Sequence, residues 1–314
     1  MKNTNIIIAG FGSIGQRHYK NLKTLGYKNL WVYDPYISQP GREVKLLKKL
    51  DEKELKSFDI AFICNPNQLH VEAALACAKA GCHLFIEKPL SHKLENVEKL
   101  AKICQKNKLV NMVACNMRFH PALKFIKKYL EDGKIGKIHS LQLQTGYFLP
   151  FWRPNSDYRK NYAAKKKTGG GIILDGIHNF DLLFWLNDFN RVKKSSLVYD
   201  RVGSLEIETE DNFVAGFVFQ NKVMGSVIGD YLQKAYSWTA KVVGEKGNLA
   251  WDFKENIVWL ADEKGKNKLW SIKNYDPNKM YAEETKYFLD CVRSRKKTFN
   301  DITRAADVLK YCLK

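Results

Sequence analysis

The stretch "NIIIAGFGSIG", residues 5–15, decides how the rest of the chain is read. A short β-branched run ends at Gly10. Gly10, Gly12 and Gly15 then form G-x-G-x-x-G ahead of "SIGQRHYKNLKTLG", whose apolar residues recur at helical spacing. In such a strand-to-helix turn Gly10 permits the tight bend, Gly12 lets backbone approach a pyrophosphate, and Gly15 lets the helix lie close to the strand. Phe11, Ser13 and Ile14 complete the loop. The helix start offers free N–H groups and a positive field to phosphate charge. A second strand, "LWVYD" (30–34), ends in Asp34, 19 residues after Gly15, where a carboxylate can accept from ribose hydroxyls. A 2′-phosphate there meets a carboxylate with no arginine beside it in "YDPYIS" (33–38). NAD is therefore the expected cofactor, and NADP is disfavoured.

Working outward, strands and helices alternate. "DIAFICN" (59–65) precedes the helix-like "QLHVEAALACAKAG" (68–81). "HLFIEKP" (83–89) precedes the amphipathic "KLENVEKLAKICQKN" (93–107), and "LVNMVAC" (109–115) closes the series. Near-continuous apolar strands with short helical crossovers predict a doubly wound parallel sheet of the Rossmann type. After a helix at 122–133 the period falls to two in "KIHSLQLQTGYF" (137–148), then in segments at 212–220, 223–232, 237–251, 256–262 and 268–273. These predict a large, mainly antiparallel sheet. Met280–Arg293 and Thr303–Leu313 are helical again. The expectation is an α/β chain: an NAD-binding domain over 1–120, then an α+β substrate and oligomerisation domain over 121–314, its terminal helices packing back on the first.

Composition narrows the function classes. Of 52 basic residues in the 314-residue chain, 42 are Lys and 10 Arg, and the net charge is +19. The lysines are scattered, and no helix-turn-helix, zinc-finger or RNA-recognition signature accompanies them, so no nucleic-acid partner is expected. No apolar run approaches the ~20 residues that span a bilayer. The N-terminus runs from one early lysine straight into a strand, so no secretory leader and no membrane partner are expected. Seven cysteines, an odd count without C-x-x-C, read as buried free thiols of a reducing compartment rather than as disulfides or a metal site. A cytoplasmic enzyme fits these properties.

Two further places draw attention. In "GGGIILDGIHNFDLLFWL" (169–186) Asp175, His178 and Asp181 follow at steps of three inside an apolar run. On a helix continuous from Gly171, Asp175 and His178 lie about 60° apart, and Asp181 has turned about 120° from Asp175. Asp175 and His178 can then meet one ligand while Asp181 does something else. A neutral imidazole suits proton transfer from a hydroxyl, and Asp175 suits accepting from an adjacent hydroxyl or fixing the imidazole. The glycines are expected to bring backbone close to a nicotinamide. The same three residues also suit an ordinary amphipathic helix. Lys88, in "EKP", ends a strand whose carboxyl edge should face a cofactor, where an ammonium can hold a developing alkoxide. Before the glycines, Tyr158, Arg159 and Tyr162 lie in a polar, aromatic loop with Lys165–Lys167 close behind. That loop suits sugar hydroxyls or a phosphate, or is plain surface.

Taken together, these segments resemble the glucose–fructose oxidoreductase, inositol dehydrogenase and rhizopine catabolism family, Gfo/Idh/MocA, over nearly the whole chain. "IIIAGFGSIGQRH" is similar to its nucleotide loop. "CNPNQLH" (64–70) is similar to its T-P-N-x-x-H segment, which implies Asn65, Pro66, Asn67 and His70 along the cofactor. "EKP" is its hallmark and adds Glu87 beside Lys88. "NMRFHP" (116–121) implies Asn116 and Arg118 on the nicotinamide side, and "FWRP" (151–154) brings in Trp152 and Arg153. The resemblance implies NAD(P)-dependent redox chemistry at a carbinol carbon of a sugar or cyclitol. It assigns Lys88 to substrate orientation and His178 to proton transfer on the same oxygen, with Asp175 in the catalytic set. Homodimers or homotetramers through the open sheet are implied as well. The Asp175–His178 step is three where the family's commoner pattern has four, which resembles a branch associated with bacterial surface-glycan biosynthesis. Three readings stay open: a sugar or cyclitol dehydrogenase, a nucleotide-sugar oxidoreductase, and a non-catalytic NAD-binding sensor.

Overall fold

Ile6, Ile7, Ile8 and Ala9 are fully buried. They form β1 (Ile6–Ala9), apolar at every position because both faces of its sheet are covered. The computed structural model describes residues 4–37 and 44–313; Ser38, at the end of "YDPYIS", lies outside them. After β1 come α1 (Ser13–Thr24), β2 (Leu30–Tyr33), β3 (Lys45–Leu46), α2 (Glu52–Leu55), β4 (Ile60–Ile63), α3 (His70–Lys79), β5 (His83–Ile86), α4 (Val97–Lys106) and β6 (Asn111–Val113). The strand order is β3-β2-β1-β4-β5-β6 and every pairing is parallel. The chain moves outward from β1 in one direction and then from β4 in the other. That reversal opens a ligand crevice at the strands' carboxyl ends. β3 and α2 are too short to carry a periodic signal. α4 begins at Val97, later than the pattern from 93 predicts, because Asn96 before it is left-handed (φ 62°).

The second sheet follows α5 (Pro121–Glu131). It contains β7 (Ile138–Gly146) and, after α6 (Leu149–Trp152), α7 (Ile172–Asp175) and α8 (Ile177–Leu186), the strands β8 (Val192–Asp200), β9 (Asn212–Phe219), β10 (Met224–Asp230), β11 (Ser237–Gly244), β12 (Gly247–Asp252), β13 (Ile257–Asp262) and β14 (Gly265–Ser271). Its order is β14-β13-β12-β11-β7-β10-β9-β8. The sheet is mainly antiparallel as expected, with β7 and β10 parallel. Phe213, Ala215, Phe217 and Phe219 alternate along β9 as its buried face. Phe180 and Phe184 of α8 pack on it, with ring centroids 5.4 Å from Phe213 and 5.7 Å from Phe217. The opposite face leaves Val198, Val214 and Met224 exposed. β8, whose "VKKSSLVYD" lacks a buried stripe, is an edge strand that the period-two search missed. The single helix expected from Gly171 is two helices, broken at Gly176.

The chain ends in α9 (Asn278–Ser294) and α10 (Ile302–Cys312). Two compact units result: residues up to Asn116 together with Pro277–Leu313, and Met117–Asp276. The boundary thus falls at 116 rather than 120, and both terminal helices are part of the first unit. Phe288 of α9 is fully buried there, 5.8 Å from Phe62 and 5.5 Å from Phe85 between ring centroids. All seven cysteines are buried free thiols. Among the described residues no helix is long and apolar enough to cross a membrane. Phe288→Ala is expected to cost about 3–5 kcal/mol, read by urea unfolding; a loss below ~1 kcal/mol would mean that α9 is not part of this core.

Candidate active site

In the first unit the glycine loop divides its tasks by what surrounds each Cα. Gly10 has φ +95°, and a Cβ on it would strike the Asn65 backbone. A Cβ on Gly15 would strike the Gly10 carbonyl. These two are demanded by the fold itself. Gly12 differs: a Cβ there would meet nothing within 4 Å. Gly12 also caps α1 without a side-chain bond, and no acidic residue stands in the first turn of α1. Its N-terminal N–H groups therefore face open space beside Gly12, the arrangement that holds a pyrophosphate. Asp34 reaches back to this loop: its Oδ2 accepts from Phe11 N at 2.8 Å and its Oδ1 from Tyr36 N at 3.0 Å. The residues present fit a dinucleotide: the open start of α1 at Gly12 can take phosphate charge, and the Asp34 carboxylate stands next to the loop where it can accept from hydroxyls.

The "EKP" segment leaves β5 at the same sheet edge. Glu87 is buried; its Oε1 meets His18 Nε2 at 2.7 Å and its Oε2 accepts from Lys88 N at 3.2 Å. His18, fully buried on α1, contacts Thr285 Oγ1 through Nδ1 at 3.2 Å. Burial alone would raise the Glu87 carboxyl; the His18 hydrogen bond and charge, with Lys88, outweigh it and hold the carboxyl below its ordinary range. Lys88 is half-buried. His70, expected along the cofactor, is buried; its Nδ1 lies 2.8 Å from Pro89 O and its Nε2 2.8 Å from Asn65 O. It braces the segment rather than presenting its ring. Burial lowers its pKa against the pull of those two carbonyls. Asn65 and the exposed Pro66 border the glycine loop, while Asn67 and Asn116 are buried.

The second unit holds the other predicted residues. Asp175 ends α7, and His178 lies in the first turn of α8. The Asp175 carboxylate collects three phenols: Tyr162 Oη donates to Oδ1 at 2.7 Å, and Tyr147 and Tyr231 donate to Oδ2 at 2.5 and 3.2 Å. Burial first, and the Asp175 charge second, push all three phenols above their usual range. The His178 ring lies 5.9 Å from that of Trp238, whose Nε1 donates to Asn179 Oδ1 at 2.6 Å. Trp152, half-exposed, packs 4.5 Å from Tyr147 and 5.9 Å from Tyr236, and Arg153 beside it is exposed. A carboxylate, an imidazole and an aromatic wall with polar tips are the elements from which a sugar-sized ligand is held.

Other expectations are corrected. The space beside Gly170 and Gly171 is filled by protein: a Cβ would strike the Tyr162 and Ala163 carbonyls at the first and the Glu210 carboxylate at the second. Glu210 Oε1 instead accepts from Ile173 N at 3.1 Å. These glycines therefore seat α7 rather than make room for a nicotinamide. Arg118, expected at the nicotinamide, is buried; Nε and Nη2 donate to Asp181 at 2.8 and 2.5 Å, and the guanidinium lies 4.9 Å from the Phe189 ring. Arg159 bonds Asp157 and Glu206, and Tyr158 Oη accepts from Glu206 N, so much of the polar loop is tied to itself. His18, Tyr147, Tyr231 and Trp238 were not singled out from the sequence. His18 was within reach: it stands one turn beyond Gly15, on the face that Gly15 turns to the sheet.

Residues 4–115 match the family described as "Oxidoreductase family, NAD-binding Rossmann fold", and residues 123–250 match the GFO/IDH/MocA C-terminal domain. Among curated relatives, myo-inositol 2-dehydrogenase of Thermotoga maritima is 30% identical over 91% of this chain and 87% of its own. The scyllo-inositol 2-dehydrogenase (NAD+) of Bacillus subtilis is 25% identical over 92% and 86%. Among solved structures, a levoglucosan dehydrogenase complex with NADH and levoglucosan superposes with a TM-score of 0.84 over 98% of this chain and 95% of its own; at 18% identity this likeness concerns the fold.

Two outcomes check the site. Gly12→Val should change stability by less than about 0.5 kcal/mol yet weaken NADH binding, followed by fluorescence titration, about tenfold or more; unchanged binding would place the phosphates elsewhere. Asp181→Leu should cost about 3–5 kcal/mol, and the double change Arg118→Met, Asp181→Leu should recover most of it, because the pair acts inside the second unit; chemical denaturation of the wild type, the two single variants and the double variant gives the coupling.

Proposed function

Because the chain belongs to the Gfo/Idh/MocA oxidoreductase family and carries its NAD-binding Rossmann fold, we propose that it is a sugar or cyclitol dehydrogenase, interconverting a ring carbinol and its ketone. The observation that carries this reading is the cluster of Asp175, His178 and their aromatic neighbours, which offers a hydroxylated ring both stacking faces and hydrogen bonds. The inositol dehydrogenases among the relatives support the same substrate class.

A bound NAD, held at the glycine loop and Asp34, would supply the hydride acceptor for the carbinol carbon, and NADH the donor in the reverse direction. The chain's own groups handle everything else. His178 takes the hydroxyl proton as the C–O bond becomes a carbonyl, a task for which neutral imidazole is suited near pH 7. Lys88, at the carboxyl edge of the parallel sheet, offers an ammonium suited to steadying negative charge that develops on a substrate oxygen. Glu87, held by His18, fixes the backbone from which Lys88 extends. Asp175 orients rather than transfers protons, since its oxygens are already occupied by phenol donors. The alternative in which the basic loop binds a nucleotide-linked sugar has less support, because Arg159 is committed to Asp157 and Glu206. Exposed Val198, Val214 and Met224 on the open sheet face support assembly of copies through that face, and the buried free thiols suit a reducing, cytoplasmic setting.

Lys88→Met and His178→Ala are each expected to lower kcat on a polyol panel by about 10²–10⁴-fold, with NADH affinity little changed, as followed by NADH absorbance. Near-wild-type turnover in both variants would remove the assignment.

A further inference from the structure

Tyr147, Tyr162 and Tyr231 come from three separate segments of the second unit, yet all three hydroxyls end on the one carboxylate of Asp175. An ionised carboxylate only accepts, so each of these bonds uses the phenol's single proton. What each phenolic oxygen has left to offer is its lone pairs. Tyr231 is fully buried and Tyr147 is 8% exposed, whereas Tyr162 is 39% exposed as a residue, so of the three it presents the most surface from which a ligand can reach its inward-lying hydroxyl. Tyr162 precedes the glycines that seat α7, and a Cβ on Gly170 would strike its carbonyl. Its backbone is therefore fixed next to the helix that carries Asp175.

We infer that Tyr162 is a specificity-determining residue whose hydroxyl Asp175 locks as an acceptor, so that the site selects neutral polyols able to donate a hydroxyl proton over phosphorylated forms of the same ring. The inference rests on the dehydrogenase reading and names the ligand class of that same site. A sugar hydroxyl can donate to the Tyr162 oxygen while its ring lies on exposed Trp152. A phosphate dianion has only acceptor oxygens and meets an acceptor backed by the Asp175 charge. Arg153 acts on Tyr162 in the opposite sense, as a cation that favours the ionised phenol. It is one exposed charge, largely screened by water, against a carboxylate hydrogen-bonded directly to the phenol. The raised pKa of Tyr162 is consistent with a proton held between phenol and carboxylate.

Calorimetric binding to the NADH-loaded protein tests this, using myo-inositol, glucose and levoglucosan as neutral probes with myo-inositol 1-phosphate and glucose 6-phosphate as their charged counterparts. At least one neutral probe should bind about tenfold or more tightly than its phosphate. Tyr162→Phe should cut that affinity about fivefold to tenfold and leave the phosphate's unchanged. Asp175→Asn should narrow the preference, because the amide can donate to a phenol oxygen, and should move part of the ultraviolet phenol titration to lower pH; Tyr147→Phe provides a second perturbation of the carboxylate if the amide variant does not fold. Equal or tighter phosphate binding, no neutral probe bound, or unchanged polyol affinity in Tyr162→Phe would overturn the inference. Discrimination without hydride transfer would sink the dehydrogenase reading alone, and polyol turnover without discrimination would sink this one alone.

Discussion

No side chain fits between Gly15 and the carbonyl of Gly10, so α1 starts directly on the switch point of the parallel sheet. Much of the first unit's edge follows from that close approach. It leaves the N–H groups at the start of α1 facing the open side of Gly12 rather than packed side chains. One turn further on, it brings the fully buried His18 to Glu87 at the end of β5 and to Thr285 on α9. A helix set farther out would leave the Glu87 carboxylate buried without its donor, at a cost of several kcal/mol. The nucleotide cradle and the base of Lys88 are thus consequences of one packing distance.

The second unit shows how position on a short helix pair separates two similar acids. Asp181 faces the interior, where a bidentate guanidinium meets it and Phe189 lies against that guanidinium. Such a pair is costly to break. Asp175, ahead of the break at Gly176, is half-buried and gathers phenols instead of a cation. The result is a carboxylate ringed by phenol donors next to an aromatic wall.

Some of this was legible from local pattern. G-x-G-x-x-G, the acidic end of the second strand and the alternation of apolar strands with 3.6-period helices each lie within a few dozen residues, and each has one physical solution. The separation of Asp175 from Asp181 was expected from a 120° turn on one continuous helix; the two acids do part, but they lie on two helices and the break at Gly176 sets their directions. The edge strand β8 was not legible, since an edge needs no buried stripe. Nor was the break at Gly176, because a glycine after four helical residues carries no mark of whether it will interrupt or continue the helix.

The sequence by itself determined the class of each sheet, the cofactor and the identity of the titratable groups, because periodicity and loop chemistry are properties of neighbours in the chain. Only the tertiary structure decided what those groups do. Tyr147 and Tyr231 are 28 and 56 residues from Asp175, Arg118 is 63 from Asp181, and His18 is 69 from Glu87. Hydrogen bonds and ion pairs act over a few ångströms of space, and no spacing rule connects residues that the fold alone brings to that distance.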